Sequence, residues 1–360
     1  MSSADALRRT KLSVKVNGVD ISEDMNQHMI SATFTDNEDG ESDDLEFTLE
    51  DRDGVIVGKW LNQEMDKRGA VKKKKGTKNA TMELTITQQN WKSNGKDVSL
   101  KCGKFQLDEV SMKGPPQTVT MKGTACSFSS GIRTQKKTKA WKNTTLKGIA
   151  GSIAKQSGYA LMYLPQKAVK YKRKDQKKTT NIVFLKKLCT AAGLSMKVTN
   201  STLVIFDQAT KEQAKSVRTI KRGDGSYSTF SFQTTLSEKS YSACEVKYKK
   251  TNGKTIKYTY VPKGGKKNKK TLLTVTNEKV DSTKEAKTLA IAKLREANKG
   301  EVTCSFTMPG DITLCAGLTI DVTGWGSAYN GKYIIEQSKH SVSRSGFKTA
   351  IEGRRAIKGY

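Results

Sequence analysis

A chain of 360 residues is long enough for two or three domains, each with its own core, and too long for one compact unit. A hydrophobic fraction of 35% and a mean hydropathy of −0.62 fit a β-rich protein with polar loops, and no run approaches the roughly 18 apolar residues of a membrane span. The net charge of +30 first suggests a nucleic-acid partner, but that charge is unevenly spread.

Residues 20–53 hold thirteen acidic side chains against one basic, Arg52. The chain is bipolar, which suits an acidic surface of one subunit or partner meeting a basic surface of another. The start (Ser2, Ser3, Ala4, Asp5) lacks the apolar core of a secretory signal, so folding in a cytosol is expected. In that compartment the six scattered cysteines, Cys102, Cys126, Cys189, Cys244, Cys304 and Cys315, read as small buried hydrophobes. With no C-x-x-C pair and only two histidines, zinc is not expected.

Residues 1–10 read as a polar tail. Leu12, Val14 and Val16 alternate into Asn17 and Gly18, two residues tolerant of the positive φ that a type I′ hairpin needs. Ala32 and Phe34, then Leu45, Phe47 and Leu49, predict half-buried strands on either side of the acidic loop. A lysine loop at 72–75 with Lys78 precedes Met82, Leu84 and Ile86. A turn at Asn94 and Gly95 precedes Val98, Leu100 and Cys102, the run continues to Val110, and Pro115 and Pro116 break it before Val119 and Met121. Residues 11–134 are read as a first antiparallel β-barrel domain.

The period then changes. Leu146, Ile149, Ala150, Ile153 and Ala154 predict an amphipathic helix, capped by Thr144 or Thr145 and closed by Gly158. A strand at 161–164, a basic connection at 167–178, a second helix carrying Ile182, Leu185, Leu188 and Cys189, and a hairpin turning at Asn200 make residues 135–208 a small α/β module. Residues 209–240 are expected to be a linking segment, with strand signals at Tyr227, Phe230 and Phe232.

From Cys244 the β character is firm, with strands on either side of Asn252 and Gly253 and a lysine and glycine loop at 262–270. Ser282 and Glu285 have capping-box spacing for a helix over about 282–299. Strands at 302–306, 318–322, 333–336 and 349–352 complete a second β-barrel domain, 241–360, with a tight turn read at Asn330 and Gly331. The fold class is mainly β with α+β: two antiparallel β-barrel domains flanking a small α/β module.

No catalytic, cofactor-binding or metal residues are expected. Asp108 and Glu109 are adjacent in a strand, so their carboxylates point to opposite faces and do not form a catalytic pair. His340 and Cys315 lack the third orienting group and the cleft that a Cys/His couple needs, and His340 reads as a packing or hydrogen-bonding residue. His28 sits among polar residues. Gly223, Asp224 and Gly225 read as a turn, not a phosphate cradle. The lysine clusters at 72–75 and 266–270 have no interleaved aromatics to stack bases, and read as solvated loops or subunit contacts.

Four stretches occur in an order and spacing that cover nearly the whole chain. They are Cys102, Gly103, Lys104, Phe105, Gln106, Leu107, Asp108, Glu109 with Gly114, Pro115, Pro116; Trp141, Lys142, Asn143, Thr144, Thr145, Leu146; Phe184, Leu185, Lys186, Lys187, Leu188 before Gly193, Leu194; and Asn330, Gly331, Lys332, Tyr333 with Lys339, His340. Together they resemble the phage late control protein D family, the baseplate hub proteins of contractile phage tails, prophage-like particles and R-type bacteriocins. The resemblance implies tube-type barrels and a non-enzymatic homotrimer whose two barrels per subunit form a pseudo-six-fold ring. It further implies an adaptor between a hexameric tail tube, or its initiator protein, and a trimeric central spike. Tape-measure and baseplate wedge proteins are further implied partners, with assembly in the bacterial cytoplasm before incorporation into the particle and with no membrane anchor or cofactor. On that plan the acidic segment 36–53 and the lysine loops are candidates for complementary subunit contacts or lumen lining. The alternatives are a basic nucleic-acid-binding protein, argued from net charge, and a tail-associated cell-wall-degrading enzyme.

Overall fold

The computed structural model describes residues 7–40, 42–54, 80–91, 95–125, 131–166, 168–235, 241–250, 253–276 and 278–357. The lysines at 72–75, Lys78, Asn94, Cys126 and Asn252 lie outside the described residues.

The first region holds β1 (Arg9–Val16), β2 (Val19–Asp20), α1 (Ser22–His28), β3 (Met29–Asn37), β4 (Asp44–Glu50), β5 (Thr81–Gln89), β6 (Asp97–Lys113) and β7 (Thr118–Thr124). Its strands are ordered β2-β1-β5-β6-β7-β4-β3. Alternation sends Val14, Phe34, Phe47, Leu84, Phe105 and Val119 into one core, closed by Met25 of α1. Each such side chain contributes roughly 1.5–3 kcal/mol when fully buried. The first hairpin turns as its sequence demands: Asn17 and Gly18 have φ of 53° and 83°, and Val16 pairs with Val19.

The middle module contains β8 (Lys136–Thr145), α2 (Leu146–Gln156), β9 (Ala160–Tyr163), β10 (Lys170–Thr180), α3 (Asn181–Ala191), β11 (Ser195–Thr199), β12 (Thr202–Phe206) and α4 (Gln208–Glu212). The Thr145 hydroxyl caps α2 by accepting from Gly148 N at 3.0 Å, which satisfies a free amide of the first turn. β12 lies between antiparallel β11 and parallel β9, and the apolar stripes of α2 and α3 share a core with β11 and β12. The expected basic connection at 167–178 is largely a strand. β10 pairs antiparallel with β8 as a two-stranded ribbon, held by buried Tyr171 and Gln176, although lysines break any hydrophobic alternation.

The expected linking segment also contributes to the sheet. Its β13 (Arg218–Lys221) pairs parallel with a later strand and its β14 (Thr229–Thr234) antiparallel with another. Beyond it, β15 (Ala243–Lys249), β16 (Thr255–Tyr260) and β17 (Leu272–Val275) form a separate sheet. α5 (Thr283–Asn298) packs on it through Ala286, Leu289 and Leu294. Ser282 caps α5 by accepting from Glu285 N at 3.1 Å, while the Glu285 carboxylate accepts from Asp281 N at 2.8 Å, one residue before the amide of the usual box.

β18 (Val302–Pro309), β19 (Thr319–Thr323), β20 (Gly331–Ser343) and β21 (Gly346–Arg355) then join β13 and β14 around a second β core, with Ile220, Phe306, Val322, Tyr333 and Ile335 inside. This core therefore draws on residues before 241, and the parallel β13–β19 pair interrupts an otherwise antiparallel arrangement. Asn330 and Gly331 do not form a two-residue turn. Asn330 ends the loop between β19 and β20, its Oδ1 accepting from Trp325 N at 2.9 Å, and Gly331 is the first residue of β20, paired with Val322. The tight turn lies at Arg344 and Ser345, where Ser343 pairs with Gly346.

Both β regions belong to one sheet of 13 strands, because β20 pairs along β3 from Gln337 with Asn37 to Ser343 with Ser31. Among the described residues no helix is long and apolar enough to cross a membrane.

Candidate functional site

The acidic loop after β3 is where the units meet. Within it, Asn37 Nδ2 donates to Ser42 O at 2.9 Å and Asn37 N donates to Asp43 Oδ1 at 3.0 Å. The loop lies against β11: Gly40 N donates to Met196 O and Met196 N donates to Asp39 Oδ1, both at 3.0 Å. Gly40 has a φ of +75°, a left-handed backbone conformation that favours glycine, while the neighbouring tip of the Lys186 side chain is free to swing away from an added Cβ.

Lys197 of β11 is the cation of this loop. Its Nζ lies 2.7 Å from Asp36 Oδ1 and 3.4 Å from Asp43 Oδ1, and donates to Asn37 O at 3.0 Å. Asp36 Oδ2 also accepts from Ala316 N at 2.9 Å, ahead of β19. One carboxylate thus ties the first β region, the α/β module and the second β region. Burial pushes the Asp43 carboxyl up to about 6 against the pull of Lys197. Burial also opposes the charge on Lys197, yet Asp36 and Asp43 hold its ammonium above the ordinary value. A buried pair of this kind adds little net stability over an apolar replacement, but losing one partner strands the other charge.

A second cluster lies beside it. Glu38 N donates to Glu336 O at 2.8 Å, and Glu38 Oε2 accepts from Gln208 Nε2 at 3.2 Å. Glu212 of α4 receives both Arg295 of α5 and the fully buried Arg354 of β21, whose Nε also lies 2.9 Å from Glu336. Burial raises the Glu38 carboxyl to about 7, with Arg354 pulling the other way. The acidic segment therefore joins parts of one chain. The expectation that it offers carboxylates to a neighbouring subunit is corrected for Asp36, Glu38, Asp39 and Asp43, which are committed internally.

His340 of β20 is fully buried. Its Nδ1 is 3.2 Å from Thr349 Oγ1, its Nε2 is 3.1 Å from Ser338 Oγ, and its ring stacks on Phe34 with centroids 6.1 Å apart. Burial lowers its pKa to about 4, so the ring is neutral packing between β3 and β20. Cys315 donates instead to Ile312 O at 3.6 Å, and burial pushes its thiol up to about 12. Cys102, Cys189, Cys244 and Cys304 are buried.

Asp108 is the extra residue of a β-bulge between Leu107 and Glu109, and Glu109 pairs with Lys122 at 3.8 Å; both carboxylates are exposed. His28 is exposed at the end of α1. Asp224 closes the turn between β13 and β14, accepting from Lys221 N and Ser226 N. The lysines at 266–270 are exposed, and Lys267 lies 3.7 Å from Glu245. Among the described residues no group of three or more His, Cys, Asp or Glu is placed to hold a metal ion.

Sequence reading missed Lys197, Gln208, Glu212, Arg295 and Arg354. Lys197 alternates with Met196 and Val198, which assigns it to the solvent face of an isolated hairpin. Only the loop that covers that face makes it a buried ligand of carboxylates.

No protein-family model matches the chain. It is 26% identical over 215 residues to a probable baseplate hub protein of Escherichia phage 186, covering 58% of this chain and 49% of that one. It is 28% identical over 212 residues to a probable baseplate hub protein of Escherichia phage P2, covering 57% and 48%. The matched stretch thus spans about half the length of these curated relatives. The fold is shared with the 43 kDa tail protein of prophage MuSo2 from Shewanella oneidensis, at a TM-score of 0.67 and 13% identity, over 97% of this chain and 99% of that one.

Proposed function

We propose that this chain is a structural baseplate hub of a contractile injection particle, the premise being its likeness to probable baseplate hub proteins of two phages. The observation that carries the reading is the pairing of β3 with β20, which sets two β regions edge to edge in one sheet, each with its own core, the turn end of β20 and β21 packing Val342 and Phe347 into the first. In a homotrimer, two such regions per subunit supply six around a ring. That arrangement meets a hexameric tube or its initiator protein on one side and a trimeric central spike on the other. Tape-measure and baseplate wedge proteins are proposed further contacts, with assembly in the bacterial cytoplasm.

The role is mechanical and non-enzymatic: the hub seeds the tube, holds the spike and moves with it when the sheath contracts. The charged junction supports this role, because Asp36 and Glu38 tie the two β regions and the α/β module so that a push on one is passed to the others. Such rings are held by large interfaces between copies.

Sedimentation in low and high salt tests the reading, followed by binding to purified spike and tube proteins. A trimer that retains the spike is expected. A strict monomer at every concentration, binding neither partner, would overturn it. A peptidoglycan zymogram is expected to stay blank.

A further inference from the structure

A groove of about 1870 Å³ lies between the β8–β10 ribbon, α3 and the start of α5. It exceeds the roughly 300–1,000 Å³ typical of small-molecule pockets and suits a stretch of polypeptide. Two of its lining residues, Leu164 after β9 and Val183 on α3, are 47% and 57% exposed. Two such side chains are ordinary when scattered singly, but inside this groove they give a partner apolar surface to cover.

The same groove is basic, with nine Lys and Arg side chains against five Asp and Glu. Four of those carboxylates are engaged within the fold. Glu285 is held by Lys174 at 2.7 Å, Glu278 by Lys293 at 3.6 Å, Asp175 by Arg173 at 2.9 Å, and Asp207 caps α4 through Ala209 N at 2.9 Å. Among the described residues no ion pair involves Lys170, Lys172, Lys211, Lys279 or Lys284. Pairing inside the groove removes a cation with each carboxylate, Lys187 with Glu278 among them, so the basic excess stays near four charges, nine against five. The five unpaired lysines carry it, in a module (135–208) that holds sixteen basic residues and two acidic ones.

We propose that this groove receives an acidic, amphipathic segment of another protein, with its carboxylates against the lysines of β10 and the start of α5 and its apolar side chains on Leu164 and Val183. This goes beyond the hub reading and does not rest on it. A second copy of this chain fits poorly, because Asp36, Glu38, Asp39 and Asp43 are built into the junction, and its exposed Asp108 and Glu109 lie in β6, already paired with β7 and not a free segment. Nucleic acid fits poorly as well. The ribbon's aromatics, Trp141 and Tyr171, are buried and offer no stacking surface, and phosphates leave Leu164 and Val183 uncovered.

The test uses the full chain at physiological salt and three labelled probes: a glutamate peptide with leucine at every fourth position, polyglutamate of the same length, and a DNA duplex. The leucine-bearing peptide is expected to bind at least about tenfold more tightly than either of the others, the equivalent of about 1.4 kcal/mol. Leu164→Ser with Val183→Ser should erase its advantage over polyglutamate, and Lys172→Glu with Lys284→Glu should weaken it by about tenfold or more. All four positions are partly or fully exposed, so thermal melts should match wild type. Equal binding of peptide and polyglutamate, tighter binding of the duplex, an advantage that survives the serine pair, or no binding of any probe would each overturn the proposal.

Discussion

In the acidic segment after β3, Asp36, Asp39 and Asp43 each reach a partner inside the chain, whereas across the ribbon of β8 and β10 the lysines stand mostly exposed. Charge excess has opposite consequences in the two places. In the first it is buried and specifies how separate units dock. In the second it stays on the surface, where water and salt screen it, and it is available to a partner. Net charge along a sequence therefore does not reveal the charge that a neighbour meets.

The sharpest way to break this contrast is to treat one lysine from each region alike. Lys197→Met leaves Asp36 and Asp43 buried without their cation and should cost about 3–5 kcal/mol in urea unfolding. A loss under about 1 kcal/mol would mean that water reaches the pair and that the junction is not sealed.

The next effect comes from Glu38, whose folded-state pKa of about 7 stands above its ordinary 4.5. Between those values the folded chain keeps a proton that the unfolded chain has released, so this group makes stability fall as pH rises from about 4.5 to about 7. Glu38→Gln retains an oxygen for Gln208 and has no proton to lose. It should gain stability on the order of 3 kcal/mol over wild type at pH 8, read from unfolding curves at pH 5 and 8. No gain would place Glu38 in a wetter setting than its burial indicates.

His340 acts with the opposite sign. Its folded pKa is about 4 against 6.5, so its contribution is complete above pH 6.5 and is lost as pH falls toward 4. In wild type the two slopes oppose each other. In Glu38→Gln only Asp43, raised by burial to about 6, still opposes the histidine limb, so acidification should cost the variant more stability than it costs wild type. Adding His340→Gln should remove that limb and cost about 1–3 kcal/mol at neutral pH through its lost hydrogen bonds. A limb that survives the second substitution would belong to another group.

The smallest effect belongs to the ribbon. Lys172→Ala should change stability by no more than about 0.5 kcal/mol, in contrast to the other lysine. A loss above about 1 kcal/mol would show the ribbon to be paired internally and would remove the difference between the regions.

The parts of this fold that were legible beforehand rest on neighbouring residues. Thr145 and Ser282 cap helices because their hydroxyls reach amides three residues on, and Asn17 with Gly18 turns because both tolerate positive φ. What escaped depends on distant partners. β10 is a strand because β8 lies beside it, and β14 is tied down by β18. Asn330 and Gly331, a strong hairpin signal in isolation, serve a longer loop because β19 pairs with β20 in a register set by the second core.

The amino-acid sequence by itself determined the alternation of the strands, the helix starts and the uneven charge, since each follows from bonds and sterics within a few residues. Only the tertiary structure decided which charges are surface and which are core. A carboxylate has the same chemistry at Asp36 as at Asp108. The pairing of β3 with β20 and the docking of β11 exclude water from the first and leave the second in it, and that difference in surroundings sets what each does.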